Sequence, residues 1–291
     1  MKFIEREHID TKLWDQKISE NPTENIFCYS WYLDATAKNW GALVTDNYKT
    51  IVPIPFTKKL GVKQMYQPQF SRELDIFGIE FNWEDVLEFL SNDFKAIQFR
   101  NENAEILKEK EERFHQVLDL TSDFKFKTNA KRLIKKADQQ FEYRNEAEPS
   151  KLIELFKSTA FQKIDTLNND DLIKLEGLMN YTLKSGNGEL IAVYEQNQFV
   201  GAGFFLIDDN RITYLKSASH EQPKKDGAMY GLVNHAIYKF KESYKTFDFG
   251  GSDVESVANF YKKFGSTNRS YYNYTINHLP LWFKTLKRIK G

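Results

Sequence analysis

The sequence repeats one pattern of elements at a nearly constant distance along the chain. Residues 44–56, VTDNYKTIVPIPF, align without a gap with residues 193–205, VYEQNQFVGAGFF, and both have a strand-turn-strand pattern. Residues 94–99, FKAIQF, match residues 244–249, YKTFDF, at almost the same offset, and each follows an amphipathic helical pattern. Two matches in the same order predict a tandem duplication of one α/β unit. The alternative is chance similarity between two α/β units.

The length of 291 residues favours two domains of moderate size over one. We expect an N-terminal domain over residues 1–122 and a C-terminal domain over residues 123–291. The predicted fold class is α/β, with a mixed sheet in each domain. In the second half, periodicity predicts a long helix from near Asp226 and further helices at 128–145 and 149–160. It predicts strands at 189–195, 198–207, 211–219, 244–249 and 270–277.

The balance of acidic and basic residues excludes a strong electrostatic field around the protein as a whole. The chain has 41 acidic and 41 basic residues, so attraction to nucleic acid or membranes must come from local patches. Cys28 is the only cysteine, which excludes an internal disulfide and fits a reducing compartment. No apolar run is long enough to span a membrane, and no group of residues has metal-ligand spacing. We expect a cytoplasmic protein without a metal site.

Residues 246–265, TFDFGGSDVESVANFYKKFG, combine a short strand, a glycine turn and a short helix. Ser252 and Glu255 have the spacing of a capping box, which predicts that the helix begins there. Gly250 and Gly251 place no side chains at the end of the strand, so a ligand or a tight turn can approach the backbone. From local physics, a plain strand-to-helix turn and a ligand-binding turn both stay open.

Within this stretch, Ala258 to Gly265 resembles the A-x-x-L-Y-E-K-L-G-F helix of GNAT acyltransferases. FDFGG followed by FYKKFG, on a duplicated chain, is similar to the FemABX peptidyltransferases and their acyltransferase relatives. HQVLDL followed by KTNAKRLIKKADQQ resembles the strand and basic helix that lead into their second domain. The resemblance covers roughly residues 20–280. It implies two tandem GNAT-like acyl-CoA N-acyltransferase domains.

The resemblance also implies a reaction. The strands at 211–219 and 244–249 would splay apart, an acyl donor would lie in the wedge, and an amine would attack its carbonyl. Backbone N–H groups around Ser217 to Ser219 would hold the oxyanion, and Tyr261 would protonate the leaving group. Lys262 and Ser219 complete the candidate catalytic set, and Gly250 and Gly251 would border the donor. The alternative for Tyr261 is that its ring only packs on the apolar stripe of its helix.

The acyl donor stays open between acetyl- or acyl-coenzyme A and aminoacyl-tRNA. GNAT enzymes that use coenzyme A carry a Q/R-x-x-G-x-G/A loop, which holds the pyrophosphate on backbone N–H groups. Residues 221–231, EQPKKDGAMYG, lack its spacing and its second glycine. FemABX proteins resemble this chain in lacking that loop, and they use aminoacyl-tRNA. Lys224 and Lys225 either meet a phosphate or are solvated.

A basic segment precedes the second domain, with six bases within twelve residues: Lys125, Lys127, Lys131, Arg132, Lys135 and Lys136. On a helix, Lys131/Lys135 and Arg132/Lys136 are i,i+4 pairs, whose repulsion an anionic partner would relieve. That partner would be a nucleotide-sugar diphosphate, tRNA or coenzyme A; a solvated face is the alternative. Lys131, Arg132, Lys135 and Lys224, with Ser217 and the two glycines, form the candidate substrate-binding set.

The first half departs from the pattern, because Arg100, Asn101 and Glu111 stand where the second half has Gly250, Gly251 and Tyr261. We therefore expect a structural or acceptor-binding copy there and chemistry in the second half. Minor candidates are His220 as a base, Asp248 as an acceptor for the glycine-turn N–H groups, and Pro68, Phe70 and Arg72 beside an acceptor groove.

The leading functional hypothesis is an acyltransferase that moves an aminoacyl or acyl group onto a small-molecule or peptidyl amine. Two rivals stay open. One is a coenzyme A-dependent N-acetyltransferase with a degenerate pyrophosphate loop. The other is a non-catalytic protein that keeps the duplicated fold for binding.

Overall fold

The computed structural model describes residues 1–21, 25–108, 110–251, 254–283 and 285. Contacts divide the chain into two compact units, one of residues 1–113 with 270–291 and one of residues 114–269. The predicted division between residues 122 and 123 stays a prediction. No helix of the described ranges is long and apolar enough to cross a membrane.

The first unit contains a six-stranded sheet and, within its described residues up to 113, three α-helices. The helices are α1 (Thr11–Ser19), α2 (Ser30–Thr36) and α3 (Trp83–Ser91). The first five strands are β1 (Lys2–Glu5), β2 (Trp40–Val44), β3 (Ile51–Lys59), β4 (Val62–Met65) and β5 (Phe94–Asn101). Residues 272–277 of the last strand of the chain, Thr267–Asn277, pair with β5 as the sixth strand. The spatial order follows the chain order, and β4 and β5 are the parallel pair.

The second unit has the same strand order. Its strands are residues 117–119 of β6 (Lys110–Asp119), β7 (Glu142–Glu146), β8 (Gly188–Glu195), β9 (Gln198–Ile207), β10 (Arg211–Ser219) and β11 (Thr246–Asp248). They lie in the order β7-β8-β9-β10-β11-β6, and β10 and β11 are the parallel pair. The last strand of the chain is β12. Because the two units share strand order and strand direction, the predicted α/β class and tandem organisation are confirmed.

The described residues of the second unit contain six α-helices. They are α4 (Thr128–Ala137), α5 (Pro149–Thr159), α6 (Asn169–Ser185), α7 (Glu221–Lys225), α8 (Ala228–Phe240) and α9 (Glu255–Lys262). α6 begins with a capping box between Asn168 and Asp171, and ends at Gly186, whose φ of 81° suits glycine. A buried core of aliphatic and aromatic side chains from β8 to β11 and α8 fills the space beneath α8.

The sixth strand of each unit does not come from the segment that the repeat suggests. β6 follows β5 along the chain but pairs with β11, with Leu118 opposite Phe247. β12 follows the second unit but pairs with β5, with Tyr274 opposite Phe99. Each unit therefore completes its sheet with a strand from the other copy of the repeat.

Two local predictions differ from the structure. The helix predicted for residues 128–145 is wrong beyond Ala137, because the alternating residues of β7 pair with β8, with Tyr143 opposite Val193. Helix α9 begins at Glu255, with Val254 at its N-cap and no side-chain cap. The predicted capping partner Ser252 lies outside the described residues.

Candidate active site in the second unit

The parallel strands β10 and β11 pair over only three residues before they separate. The register runs from Arg211 opposite Thr246 to Thr213 opposite Asp248, where β11 ends. β10 then has a register shift between Tyr214 and Lys216 and continues beside β9 as far as Ser219. Within the described residues, the edge of β10 beyond Thr213 that faces away from β9 has no partner strand. Its backbone groups are therefore available to a ligand.

The two glycines after β11 form a tight turn at this separation. Gly250 and Gly251 have φ values of 79° and 70°, a region that L side chains rarely adopt. A Cβ atom at Gly250 would lie 3.1 Å from the carbonyl oxygen of Tyr214, and one at Gly251 would lie 2.8 Å from Cβ of His115. Close backbone packing alone therefore requires both glycines, whether or not a ligand also approaches them.

Asp248 is fully buried at the end of β11, within a cluster of polar groups. The Gly250 N–H donates to Oδ1 of Asp248 at 2.8 Å, which confirms the predicted role of this carboxylate at the glycine turn. Its Oδ2 lies 3.3 Å from Nη1 of Arg211 and 3.7 Å from Nδ1 of His115. This places one carboxylate, one guanidinium and one imidazole directly behind the turn.

Tyr261 of α9 packs behind the same turn. Its ring centroid lies 4.9 Å from that of Phe249, and the Tyr214 ring is edge-on to it at 6.3 Å. Burial and the charge of Asp248 raise the pKa of the Tyr261 phenol well above its ordinary value. The phenol therefore keeps its proton throughout the neutral range.

The serines of β10 make local hydrogen bonds. Ser219 is buried, and its hydroxyl lies 3.0 Å from the carbonyl oxygen of His220 and 3.3 Å from that of Val200. The hydroxyl of Ser217 hydrogen-bonds with the phenol of Tyr214, whose pKa burial raises well above the ordinary range. His220 is exposed beyond the end of β10. The side chain of Ser219 is thus held to the backbone, whereas Ser217 lies beside Tyr214.

The basic residues of α4 lie on its exposed face. Ala130, Ile134 and Ala137 are buried against the unit, while the four predicted bases are exposed: Lys131, Arg132, Lys135 and Lys136. Lys136 is paired with Asp226 at 2.6 Å. Lys131 and Lys135, with Phe126 and Tyr238, line an open groove of about 530 Å³. The groove combines two lysines and aromatic surface with one carboxylate, that of Asp138.

The N-terminus of α8 is covered from one side by α4. Gly227, at the N-cap with a φ of 97°, has so little space that a Cβ would lie 2.9 Å from the carbonyl oxygen of Leu133. Lys224 is exposed, and Lys225 pairs with Glu221 at 3.3 Å. Lys262 is half-buried on α9. A carbonyl oxygen at the start of α8 makes that helix end less favourable for a diphosphate.

In the first unit, the segment after β4 fills the corresponding separation. The side-chain oxygen of Gln67 accepts from the Arg100 N–H at 2.9 Å, and the Leu74 N–H donates to the Arg100 carbonyl at 2.9 Å. The Asn101 amide donates to the Leu74 carbonyl at 2.8 Å and to Asp75 at 2.7 Å. These bonds attach the segment directly to the end of β5.

The three minor candidates of the first unit lie in this segment. Pro68 is buried, and Phe70 has a φ of 63° and a carbonyl oxygen that accepts from the Tyr32 hydroxyl at 2.5 Å. Arg72 is buried and ion-paired with Glu73 at 2.8 Å. The Arg72 guanidinium also lies over the ring of Phe27, 5.4 Å from its centroid.

Two residues of the second unit, His115 and Lys216, are not among the candidates that the sequence indicates. His115 lies in β6, about 130 positions from Asp248, and only the β6–β11 pairing brings the two together. Lys216 lies on β10, and its ammonium is 3.5 Å from the centroid of the Phe156 ring. The small and apolar residues around Lys216 in β10 were the sequence feature that could have indicated its partial burial. In the described ranges, no three His, Cys, Asp or Glu residues cluster as a metal site.

No protein-family model and no curated protein sequence matches the chain. Among solved structures, it is similar to FemX, with a TM-score of 0.66, 14% identity, and coverage of 95% of this chain and 98% of that chain. It is similar to the C-terminal domain of a putative lysylphosphatidylglycerol synthetase from Agrobacterium fabrum, with a TM-score of 0.60, 10% identity and 92% coverage of both chains.

A third similar structure is a tandem GNAT protein from the clavulanic acid biosynthesis pathway, with a TM-score of 0.55 and 10% identity. That match covers 96% of this chain and 99% of the other. At such identities the likeness shows the fold alone. It confirms the predicted FemABX-like, tandem GNAT-like fold.

Proposed function

We propose that this protein is an acyltransferase that moves an aminoacyl or acyl group onto an amine, with its chemistry in the C-terminal domain. The observation that carries the proposal is the separation of β10 from β11 after three paired residues, with the Gly250–Gly251 turn and Tyr261 at its base. An extended donor placed there meets the unpaired edge of β10. The filled separation in the first unit supports a structural or acceptor-binding role for that copy.

In this proposal the site residues have distinct roles. Backbone N–H groups between Ser217 and Ser219 stabilise the oxyanion that forms when the amine attacks the donor carbonyl. Tyr261 donates its proton to the leaving group, and Lys262 contacts a phosphate or the acceptor. Lys131, Arg132, Lys135 and Lys224 attract the anionic part of a substrate, which would be tRNA or a nucleotide-sugar.

The proton affinity of Tyr261 favours an aminoacyl ester over a thioester as donor. An ester of tRNA releases a ribose alkoxide, which is much more basic than the thiolate of coenzyme A, since a thiol has an ordinary pKa of about 8.5. A phenol with a raised pKa protonates an alkoxide readily and a thiolate only weakly. The carbonyl oxygen of Leu133 beside the N-cap of α8 favours the same choice, because it disfavours a pyrophosphate there.

The proposal is tested by offering the protein radiolabelled aminoacyl-tRNA or acetyl coenzyme A, with small and peptidyl amines as acceptors. We expect an amide product from aminoacyl-tRNA and none from acetyl coenzyme A. A product from acetyl coenzyme A alone would establish the N-acetyltransferase alternative. No product from either donor, with the protein folded, would leave the binding-protein alternative.

Reversal of charge on α4 tests the role of its exposed bases. Lys131→Glu with Lys135→Glu replaces the two lysines of the groove, and we expect weaker binding of tRNA or of a nucleotide-sugar at low salt. The loss should shrink as salt rises, because screening weakens the wild-type attraction too. A filter-binding or fluorescence titration measures it.

Lys125→Glu with Lys136→Glu is the matched control, because it makes the same change in charge outside the groove. Lys136 is already neutralised by Asp226. Equal affinity in the Lys131/Lys135 variant and the wild type would mean that the basic face is only solvated.

A further inference from the structure

Lys216 lies on β10 just beyond the point where β11 ends. In the register of β10 and β9, it stands opposite Phe204, so the two side chains share one face of the sheet. Phe204 is fully buried, and Phe156 of α5 closes over the same face. The Lys216 ammonium lies 3.5 Å from the centroid of the Phe156 ring. A cation is thus held against an aromatic wall beside the unpaired edge of β10.

In the part of the chain that the structure describes, no acidic group compensates this cation. Within the described residues, no carboxylate lies within salt-bridge distance of Nζ, which instead lies on the face of Phe156. Burial alone lowers the pKa of Lys216 to about 8, with no contribution from a neighbouring charge. The side chain therefore stays mostly protonated at neutral pH. Lys216 is half-buried, and a cation–π contact replaces only part of the hydration that a charge loses in such a place.

We propose that the Lys216 ammonium binds a carboxylate of the amine acceptor, so that the acceptor is an amino acid or a peptide rather than a simple amine. The geometry favours a monoanion, because one ammonium beside an aromatic ring matches one carboxylate. A phosphate carries more charge and is normally held by several donors, often from arginine. The inference deepens the proposed acyl transfer by naming the class of acceptor.

The consequence for the reaction is orientation of the acceptor. A carboxylate held at Lys216 is fixed on the face of β10 that α5 covers, next to the edge where the donor would lie. Fixing one end of the acceptor limits the positions that its amine can take relative to the donor carbonyl. Lys216 then acts as a binding residue and takes no proton in the reaction.

The experiment is an NMR titration of the unmodified protein with lysine labelled at Cε. The Lys216 resonance is assigned by its loss in Lys216→Arg, and its pKa is measured without and with each probe. The probes are two matched pairs, L-lysine with cadaverine and L-alanyl-L-alanine with its C-terminal amide. Inorganic phosphate is a fifth probe. We expect the carboxylate probes to raise the pKa of Lys216 and the partners without a carboxylate to leave it unchanged.

Binding of the same probes to variants gives a second readout. Lys216→Met should weaken binding of a carboxylate probe by about 10- to 100-fold, as expected for loss of a hydrogen bond to a charged group. Lys216→Arg should keep part of it, and Lys157→Met at an exposed position of α5 is the matched control. Binding to wild type should weaken as the pH rises above about 8, because the ammonium then loses its charge.

Three results would overturn the proposal. One is a pKa of Lys216 that no carboxylate probe changes. Another is a shift produced by phosphate alone, and the third is carboxylate binding by Lys216→Met as tight as wild type. Because these measurements need no acyl donor and no turnover, they stand apart from the transfer assay. Failure of transfer with carboxylate binding intact would reject only the proposed reaction.

Discussion

Tyr261→Phe is expected to reduce turnover by roughly 10²-fold or more while changing the stability of the fold little. The substitution keeps the ring that packs on Phe249 and removes only the hydroxyl. Without the phenol proton, the leaving group departs as an anion, which raises the barrier of the acyl-transfer step. The measurement is kcat in the transfer assay, together with a urea titration of each variant.

Tyr261→Ala is the companion variant. Removing the whole ring from its contacts with Phe249, Tyr214 and Phe260 should lower the free energy of unfolding by roughly 3–5 kcal/mol. Full activity in Tyr261→Phe would end the general-acid proposal and leave the ring with a packing role. Unchanged activity in Tyr261→Phe, together with a large loss of stability in Tyr261→Ala, would establish that packing role.

Asp248→Ala is expected to lower the free energy of unfolding by roughly 3–5 kcal/mol, the usual cost of breaking a buried ion pair. The fully buried carboxylate lies 3.3 Å from Arg211 and accepts from the Gly250 N–H at 2.8 Å. Its loss leaves the guanidinium without this anion and the turn without its acceptor. Chemical denaturation with an unchanged m-value would measure the effect.

Two further variants show where the effect arises. Asp248→Asn keeps an oxygen for the Gly250 N–H but removes the charge, so it should be destabilised less than Asp248→Ala. Asp209→Asn makes the same chemical change at an exposed position and should stay within about 0.5 kcal/mol of the wild type. An Asp248→Ala protein as stable as wild type would show that the carboxylate does not hold the turn and Arg211 together.

Much of the second unit followed from local pattern. The strands predicted at 198–207 and 211–219 match β9 and β10 residue for residue, and the helix predicted at 149–160 is α5, which ends at Thr159. Alternating apolar residues and polar turns carry this information within a few positions, so no tertiary contact is needed to read it. The helix predicted beyond Ala137 failed because pairing with β8 outweighed a weak helical pattern.

The candidate site was only partly predictable. The glycine turn, Asp248 and Tyr261 lie close together in the sequence, so one short motif indicates all three. His115 joins Asp248 through the pairing of β6 with β11, and Lys216 meets Phe156 through the packing of α5 on β10. Nothing in the residues next to His115 or Lys216 indicates those partners.

The sequence by itself determined the repeated α/β pattern, the bounds of several strands of the second unit and the glycine turn between β11 and α9. The periodicity of hydrophobic residues and the residues that favour turns are local features of the sequence. In a duplicated chain they appear in both copies. Only the tertiary structure decided that each unit takes its sixth strand from the other copy of the repeat. It also decided that the segment after β4 hydrogen-bonds to the end of β5 in the first unit, whereas in the described residues of the second unit the edge of β10 beyond Thr213 has no partner strand. Both outcomes depend on which backbone edges hydrogen-bond, and edges far apart in the chain carry no local signal of their partners.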